Sequence, residues 1–474
     1  MYESGVELKN ACLEGERYMS LFAETNDYTL YFGKMEEELR NFPENSVDSI
    51  VTDPPYHLES IVKRFGKKNS AECKHGSDGS FARLSKGFMG KEWDGGDISF
   101  RPETWAECLR VLKPGGYLLS FGGSRTFHRI ACAIEDAGFE FRDEIMWLYG
   151  SGFPKSMNIG LAIDKKLGLQ GQRGIGGFNV GGLGEQDNRK SKLYIGSTTD
   201  GSKQKGYDDY KDPIAQKFAG YGTALKPAYE PIIMARKPFK GSCVANVMNW
   251  GVGGINIDEC RVEYADDKDK ASATPQGKCT ANSACGSAPD ITSEDRKEFK
   301  RPKLTGRYPS NIIHDGSKEA TKDMINEKTK NDASRYFYCA KASKKDRDEG
   351  LDNFENNIIS DGCIRSNAES ARIFGANPVV KKNIHPTVKP TELMQYLVRL
   401  VAPKGATILD PFCGSGSTGK ACMIENNERN ANYKFIGIEM TNEYIPIIIA
   451  RLNSECDKND KIESYESLLN ELEN

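Results

Sequence analysis

Ile408-Leu409-Asp410-Pro411-Phe412-Cys413-Gly414-Ser415-Gly416-Ser417-Thr418-Gly419 is the stretch on which the fold turns. An apolar run ends in an acid and a proline, and glycines at 414, 416 and 419 then permit a tight bend that opens into a helix from about Thr418. A strand over 435–438 and a helix over 443–452 follow, which completes a βαβ unit. Just upstream, a helix over 391–401 places Leu393, Leu397, Leu400 and Val401 on one face and leads into the strand at 407–409. Regular structure resumes at 335–341, so 335–453 reads as half of a parallel α/β sheet, with 454–474 an acidic, helical tail.

Residues 1–150 have the same rhythm. Strands over 29–32, 49–52, 117–121 and 141–149 alternate with helices over 35–41, 102–112 and 125–137. Between the halves the alternation lapses. Residues 151–334 read as an insert from which one strand, over 230–235 (E-P-I-I-M-A), returns to the sheet. The Lys-, Gly- and Ser-rich 57–100 and the Gly- and Asn-rich 168–224 read as loops.

Length, charge and cysteine usage narrow the class. The 474 residues allow about two to four domains. No run of 18 apolar residues occurs, and the first residues lack the basic and apolar regions of a signal peptide, so a cytoplasmic protein away from membranes is expected. The 13 cysteines include no C-x-x-C pair, which points to neither a disulfide framework nor a metal site. Net charge is −3, yet residues 151–350 hold 34 Lys and Arg against 26 Asp and Glu, leaving 31 against 42 elsewhere. Phosphate binding needs local positive charge, so the basic insert is the candidate nucleic-acid face; a merely solvated surface would show the same letters.

The strand over 49–52 runs into Asp53-Pro54-Pro55-Tyr56. Asp and Pro favour turns, so this could be a plain turn. It also puts a carboxylate, carbonyls freed by two prolines and an aromatic face into one short loop. Such a loop can accept the hydrogens of an exocyclic amine and stack on the heterocycle that carries it.

The glycine bend fits three cofactors. Gly414-x-Gly416-x-x-Gly419 with Glu439 twenty residues on matches the dinucleotide fingerprint, and Gly414 to Lys420 nearly matches a phosphate-binding loop. In the latter Ala421 stands where Ser or Thr would hold Mg²⁺, and the D-P-P-Y loop offers no hydride chemistry. The third is S-adenosyl-L-methionine: Asp410 would accept from its ammonium, Gly414 and Gly416 would make room near its sulfonium, Ser415, Ser417 or Thr418 would donate to its carboxylate, and Glu439 would take the ribose hydroxyls.

D-P-P-Y followed by a long variable region, H-P-T-V-K-P (385–390), D-P-F-C-G-S-G-S-T and F-I-G-I-E-M (435–440) resembles the β-class DNA amino-methyltransferases, in which the catalytic motif precedes the cofactor motif. G-S-G-F-P-K (150–155) and H-P-T-V-K-P resemble phage, prophage and restriction-modification members. The resemblance implies a doubly wound, Rossmann-like methyltransferase sheet with permuted motif order and an inserted target-recognition region. It implies Asp53, Pro54, Pro55 and Tyr56 as the catalytic loop. For S-adenosyl-L-methionine it implies Asp410, Phe412, Gly414, Ser415, Gly416, Ser417, Thr418 and Glu439, with His385, Pro386, Thr387 and Lys389 as a wall near the methionine end.

The implied partner is double-stranded DNA with the target base flipped out, and a homodimer is compatible with the class. Members with Asp first in the loop mostly act on adenine N6 and those with Ser on cytosine N4; enzymes of protein glutamine carry Asn there. Cytosine-C5 chemistry needs a cysteine after a proline, and none is present. A DNA-binding regulator retaining a silent methylase fold is the non-enzymatic alternative. One departure stands out: family members carry an acid after the first strand to contact the cofactor's adenine, whereas Gly33 is followed here by Lys34.

Overall fold

The computed structural model describes residues 21–56, 97–150, 156–169, 210–264, 306–317, 341–355 and 379–456, with short pieces at 267, 270, 320, 325–326, 331–332, 337–339, 357–360 and 363–365. The expected loops over 57–100 and 168–224 and the tail over 454–474 lie largely outside these residues.

One ten-stranded sheet organises the larger part of the chain. Its strands are β1 (Leu21–Glu24), β2 (Tyr28–Phe32), β3 (Val47–Thr52), β4 (Leu112–Phe121), β5 (Glu140–Leu148), β6 (Tyr229–Arg236), β7 (Ile312–His314), β8 (Phe337–Tyr338), β9 (Thr407–Asp410) and β10 (Lys434–Glu439). Their spatial order is β1-β2-β10-β9-β3-β4-β6-β5-β7-β8. The run β2-β10-β9-β3-β4 is parallel throughout. The returning strand β6 pairs antiparallel with β4, from Tyr117 opposite Arg236 to Phe121 opposite Ile232.

β3 (V-D-S-I-V-T) is buried at every position, as a central strand covered on both faces must be. On one face Ile50, Leu118, Leu409 and Ile438 pack with Met35, Trp105 and Ile130 from α1 (Met35–Glu38), α2 (Pro102–Val111) and α3 (Phe127–Asp136). α4 (Cys243–Trp250) packs beside β4. The other face carries α5 (Thr391–Val401), α6 (Ser417–Arg429) and α7 (Ile445–Asn453), with α5 on β3 and β4 and α6 on β10. The Ser49 hydroxyl donates to the Val401 carbonyl at 2.9 Å, which ties α5 to the strand beneath it. Helices on both faces of a mostly parallel sheet make the doubly wound α/β fold.

Register places the site. Ile408 lies opposite Ser49 and Leu409 opposite Ile50, so β9 and β3 end side by side and the glycine bend and the D-P-P-Y loop leave from neighbouring strand tips. The motifs are 350 residues apart only along the chain.

Several boundaries differ from expectation for local reasons. β4 starts at Leu112 rather than at the expected 117, because Leu112 pairs with Val47 and Gly115 and Gly116 pair with Lys237 beyond β6 (3.0 and 2.9 Å). α4 lies in a region read as irregular. The Ser242 hydroxyl accepts from the Ala245 amide (3.1 Å) at its start, and Gly251, at φ 73°, ends it. The piece expected over 335–341 contributes Phe337–Tyr338 to the sheet.

The chain divides into two units. Met1–Trp147, Glu230–Gly316 and Asp323–Asn474 form the first, and Leu148–Tyr229 with Ser317–Lys322 the second. The insert expected over 151–334 therefore splits, with 230–316 and 323–334 belonging to the sheet unit. In the second unit a helix, Ile159–Lys166, is capped by Asn158, whose side chain accepts from the Leu161 amide at 3.1 Å. The buried Asp164 accepts from the amides of Lys211 and Asp212 (2.9 and 3.0 Å), which sets the start of the short helix Pro213–Lys217.

Leu409 is fully buried at the centre of the sheet, so Leu409→Ala should lower stability by about 2–5 kcal/mol, read from urea unfolding. A loss below about 1 kcal/mol would mean that β9 is not packed as described.

Candidate functional site

Asp410 ends β9 and joins the two loops. Its Oδ1 accepts from the Thr52 hydroxyl (2.7 Å) and the Phe412 amide (3.2 Å), and its Oδ2 from the Thr418 hydroxyl (2.6 Å). Thr52 is the last residue of β3, directly before Asp53, and Thr418 lies in the first turn of α6. One carboxylate thus clasps strand β3, its own bend and the following helix. Burial pushes the Asp410 carboxyl up to about 6, against the pull of the Thr418, Thr52 and Phe412 hydrogen bonds. The Thr418 hydroxyl, expected to be free for a cofactor carboxylate, is engaged here.

The bend itself depends on backbone freedom. Gly414 and Gly416 have φ of 56° and 74°, the left-handed region that side chains disfavour. A Cβ on Gly414 would also lie 2.9 Å from the His385 Nε2, so the imidazole faces bare backbone. Glu439, at the end of β10, accepts from the Gly414 and Thr441 amides, each at 2.7 Å. Burial lifts its carboxyl to about 7.

Ser415 and Ser417 are held from behind by Arg451. Its guanidinium donates to the Ser415 carbonyl (2.6 Å) and hydroxyl (3.1 Å) and to the Ser417 hydroxyl (3.2 Å). Arg451 is fully buried in α7, and the desolvation brings its pKa down to about 10. Sequence reasoning passed over it, although a lone arginine in the apolar run I-P-I-I-I-A-R-L was a signal that something polar waited inside.

The H-P-T-V-K-P stretch bridges the loops. The Ser417 hydroxyl donates to the Lys389 carbonyl at 3.1 Å, and the buried His385 ring packs edge-on against Tyr444, centroids 4.7 Å apart. Pro386 is half-buried and Thr387 exposed. Lys389, expected in the cofactor wall, extends its side chain to the D-P-P-Y loop. Its buried ammonium donates to Asp53 Oδ2 and to the Tyr56 hydroxyl (3.1 Å) and lies 3.4 Å from Glu230 Oε2 and 4.7 Å from the centre of the Phe121 ring.

The D-P-P-Y loop is therefore built around a charge cluster. The Tyr56 hydroxyl donates to Asp53 Oδ1 at 2.7 Å, and its ring lies against Gly123, where a Cβ would approach within 3.2 Å. The Ser99 hydroxyl donates to the Pro55 carbonyl at 2.5 Å. Burial would bring the Lys389 ammonium down, but Asp53 and Glu230 outweigh it and hold it above its ordinary value. Burial raises the Asp53 carboxyl despite Lys389, and the neighbouring Glu230 adds to that rise. Glu230, the second residue of β6, escaped notice; the hint was an acid directly ahead of a buried apolar strand.

The D-P-P-Y loop thus adjoins a glycine bend, with the Glu439 carboxyl on the bend at the end of β10. Among known families, the one described as DNA methylase matches residues 47–450, and the chain belongs to it. The chain is similar to the type II methyltransferase M.HindIII of Haemophilus influenzae, 25% identical over 239 residues, which cover 46% of this chain and 62% of that protein. It is also similar to the DNA adenine methyltransferase YhdJ of Escherichia coli, 38% identical over 69 residues, 15% of this chain and 21% of that one. The match with each of these two curated relatives spans less than two thirds of that relative's length. A solved structure, the cytosine-N4-specific PvuII DNA methyltransferase, aligns with 94% of this chain and 91% of its own at 13% identity and a TM-score of 0.38.

The raised carboxyls give a pH signature. Glu439 is lifted from 4.5 to about 7 and Asp410 from 3.8 to about 6, so each favours the fold at low pH, and that contribution is lost as pH rises through the folded value. Glu439→Gln keeps the neutral shape, so the variant should gain on the parent by up to about 3 kcal/mol between roughly pH 4.5 and 7.5, read from denaturant midpoints. A difference independent of pH would show that Glu439 titrates as an ordinary acid.

Proposed function

We propose that this protein is an S-adenosyl-L-methionine-dependent methyltransferase acting on the exocyclic N6 of adenine in double-stranded DNA. The observation that supports it most is the seating of Asp53 and Tyr56 beside the glycine bend at adjacent strand tips, joined through Asp410.

The residues fit the cofactor. Gly414, lacking a side chain, lets the His385 imidazole close on the bend, and Glu439 sets a buried carboxyl against the Gly414 amide where a ribose diol would be held. His385 walls the same bend. Asp410 already accepts three hydrogen bonds, so it acts here as the clasp that positions both loops rather than as the main anchor for an ammonium. When bound, S-adenosyl-L-methionine supplies a methyl group already activated by its sulfonium.

The chain supplies position and polarity. An adenine amine is a weak nucleophile because its lone pair is delocalised into the ring. Asp53 and the Pro54 carbonyl accept its two hydrogens and so favour a pyramidal nitrogen with the lone pair aimed at the methyl, while Tyr56 stacks on the ring. Direct in-line transfer then gains from orientation and from preorganised acceptors. No covalent enzyme intermediate is needed, and burial raises the Cys413 and Cys422 thiols well above their ordinary pKa, which suits packing rather than nucleophilic work. Extruding the base costs a few kcal/mol, and stacking on Tyr56, worth about 1–3 kcal/mol, offsets much of it.

Adenine is favoured by the Asp at the head of the loop. The names of the similar proteins include both an adenine and a cytosine-N4 enzyme, so the base is decided by digesting methylated DNA and identifying the modified nucleoside by mass spectrometry. N6-methyladenine is the expected product; N4-methylcytosine would overturn the base assignment and leave the transfer chemistry standing.

Asp53→Ala should cut transfer at least about a hundredfold while cofactor binding survives, measured with labelled methyl groups and by calorimetry. Full activity in that variant would reject the catalytic loop. With 34 basic against 26 acidic residues over 151–350, duplex affinity should fall steeply as salt rises from about 50 to 200 mM. A flat response would exclude this region as the DNA-facing part.

A further inference from the structure

Asp53 is asked to accept from the target amine, yet each of its oxygens already holds a donor, Oδ1 the Tyr56 hydroxyl and Oδ2 the Lys389 ammonium. Each oxygen can accept a second hydrogen, but the closely held Lys389 ammonium competes with an incoming exocyclic amine for Oδ2. An ammonium has three N–H donors and no acceptor, and three oxygens surround this one: Asp53 Oδ2, the Tyr56 hydroxyl at 3.1 Å and Glu230 Oε2 at 3.4 Å. The contact with Asp53 is the tightest of the three and that with Glu230 the loosest. Lys389 is 9% exposed, so it cannot simply swing into water when the amine arrives. A buried cation that loses one carboxylate needs another within reach.

We propose, on the reading above, that Glu230 is a positioning residue: it takes over the Lys389 ammonium as the target amine enters, freeing Asp53 Oδ2 to accept from that amine. Glu230 is placed for this role. It is the second residue of β6, and the carbonyl of the next residue, Pro231, accepts from the Gly122 amide at 2.9 Å, which anchors the chain beside it to the end of β4. Its Oε2 also lies 3.4 Å from the Tyr56 hydroxyl, which lets the hydroxyl and the ammonium reorganise around one carboxylate. The cation stays paired throughout, and the cavity keeps one positive charge between two carboxylates before and after the exchange. Lys389 then acts as a plug that only a properly seated amine displaces, which adds discrimination against bases without an exocyclic amine.

The test is a double-mutant cycle of Glu230→Gln and Lys389→Met on the full chain, using duplex DNA carrying the site that the wild-type protein methylates. With Lys389 present, Glu230→Gln leaves the ammonium only Asp53 to pair with, so kcat should fall about tenfold, with cofactor affinity within about twofold and the loss partly restored by Glu230→Asp. With Lys389→Met there is no cation to park, and Glu230→Gln should change kcat by less than about twofold. The same loss in both backgrounds would overturn the proposal.

Should Lys389→Met abolish turnover, the cycle is read instead from the fluorescence of 2-aminopurine placed next to the target adenine, which rises as that adenine leaves the stack. A drop on Glu230→Gln confined to the Lys389 background supports the exchange, and equal drops reject it. Thermal midpoints of all four proteins separate either result from misfolding. A wild-type protein that transfers no methyl to any DNA would defeat the proposed function; normal transfer with an additive cycle would defeat this inference alone.

Discussion

One buried carboxylate holds the two halves of the site together. Asp410 accepts from Thr52 on the neighbouring strand and from Thr418 on the next helix, and these bonds bring two loops from opposite ends of the chain into one cavity. Hydrogen-bonding groups placed around a carboxylate away from water are costly to leave unmatched, so the arrangement is strongly specified. Parallel pairing of β9 with β3 supplies the coarse alignment and the Asp410 contacts supply the fine one. A chain that ran its motifs in the opposite order would meet the same constraint, because what matters is which strand tips are neighbours.

Around this clasp the site divides its electrostatic labour. On the glycine side, Glu439 and Arg451 hold the bend from its two flanks, one accepting from the Gly414 amide and the other donating to Ser415 and Ser417. On the D-P-P-Y side, Asp53, Glu230 and Lys389 form a cluster with one cation shared by two carboxylates. Lys389 links the sides, since its carbonyl accepts from Ser417 while its ammonium reaches Asp53. The H-P-T-V-K-P stretch is therefore a strut between the two loops as well as a wall of the cofactor side.

Most of the sheet was legible because its strands are short apolar runs punctuated by Gly and Pro, and because α5 keeps a clean helical stripe. The observed Thr391–Val401 matches the span read from periodicity alone. What escaped reading was tertiary in origin. β4 starts five residues early because Leu112 pairs with Val47 and Lys237 pairs with its glycines, partners far away in sequence. α4 was hidden because Val244, Val247 and Met248 are exposed, so its apolar residues mark no buried face. Asp53, Tyr56, Asp410 and the glycines could be picked out by the chemistry of their own motifs. Glu230 and Arg451 could not, since each matters only through a side chain brought to it by the fold, and the contact of the Lys389 ammonium with Asp53 was hidden for the same reason.

The most direct measurement is a crystal structure of the protein with S-adenosyl-L-homocysteine bound. The account predicts electron density for the ligand between the Gly414 bend and the D-P-P-Y loop, with the ribose toward Glu439 and the sulfur facing Asp53. Density on any other surface, or a cavity in which Asp53 and Gly414 face away from a common ligand, would contradict it.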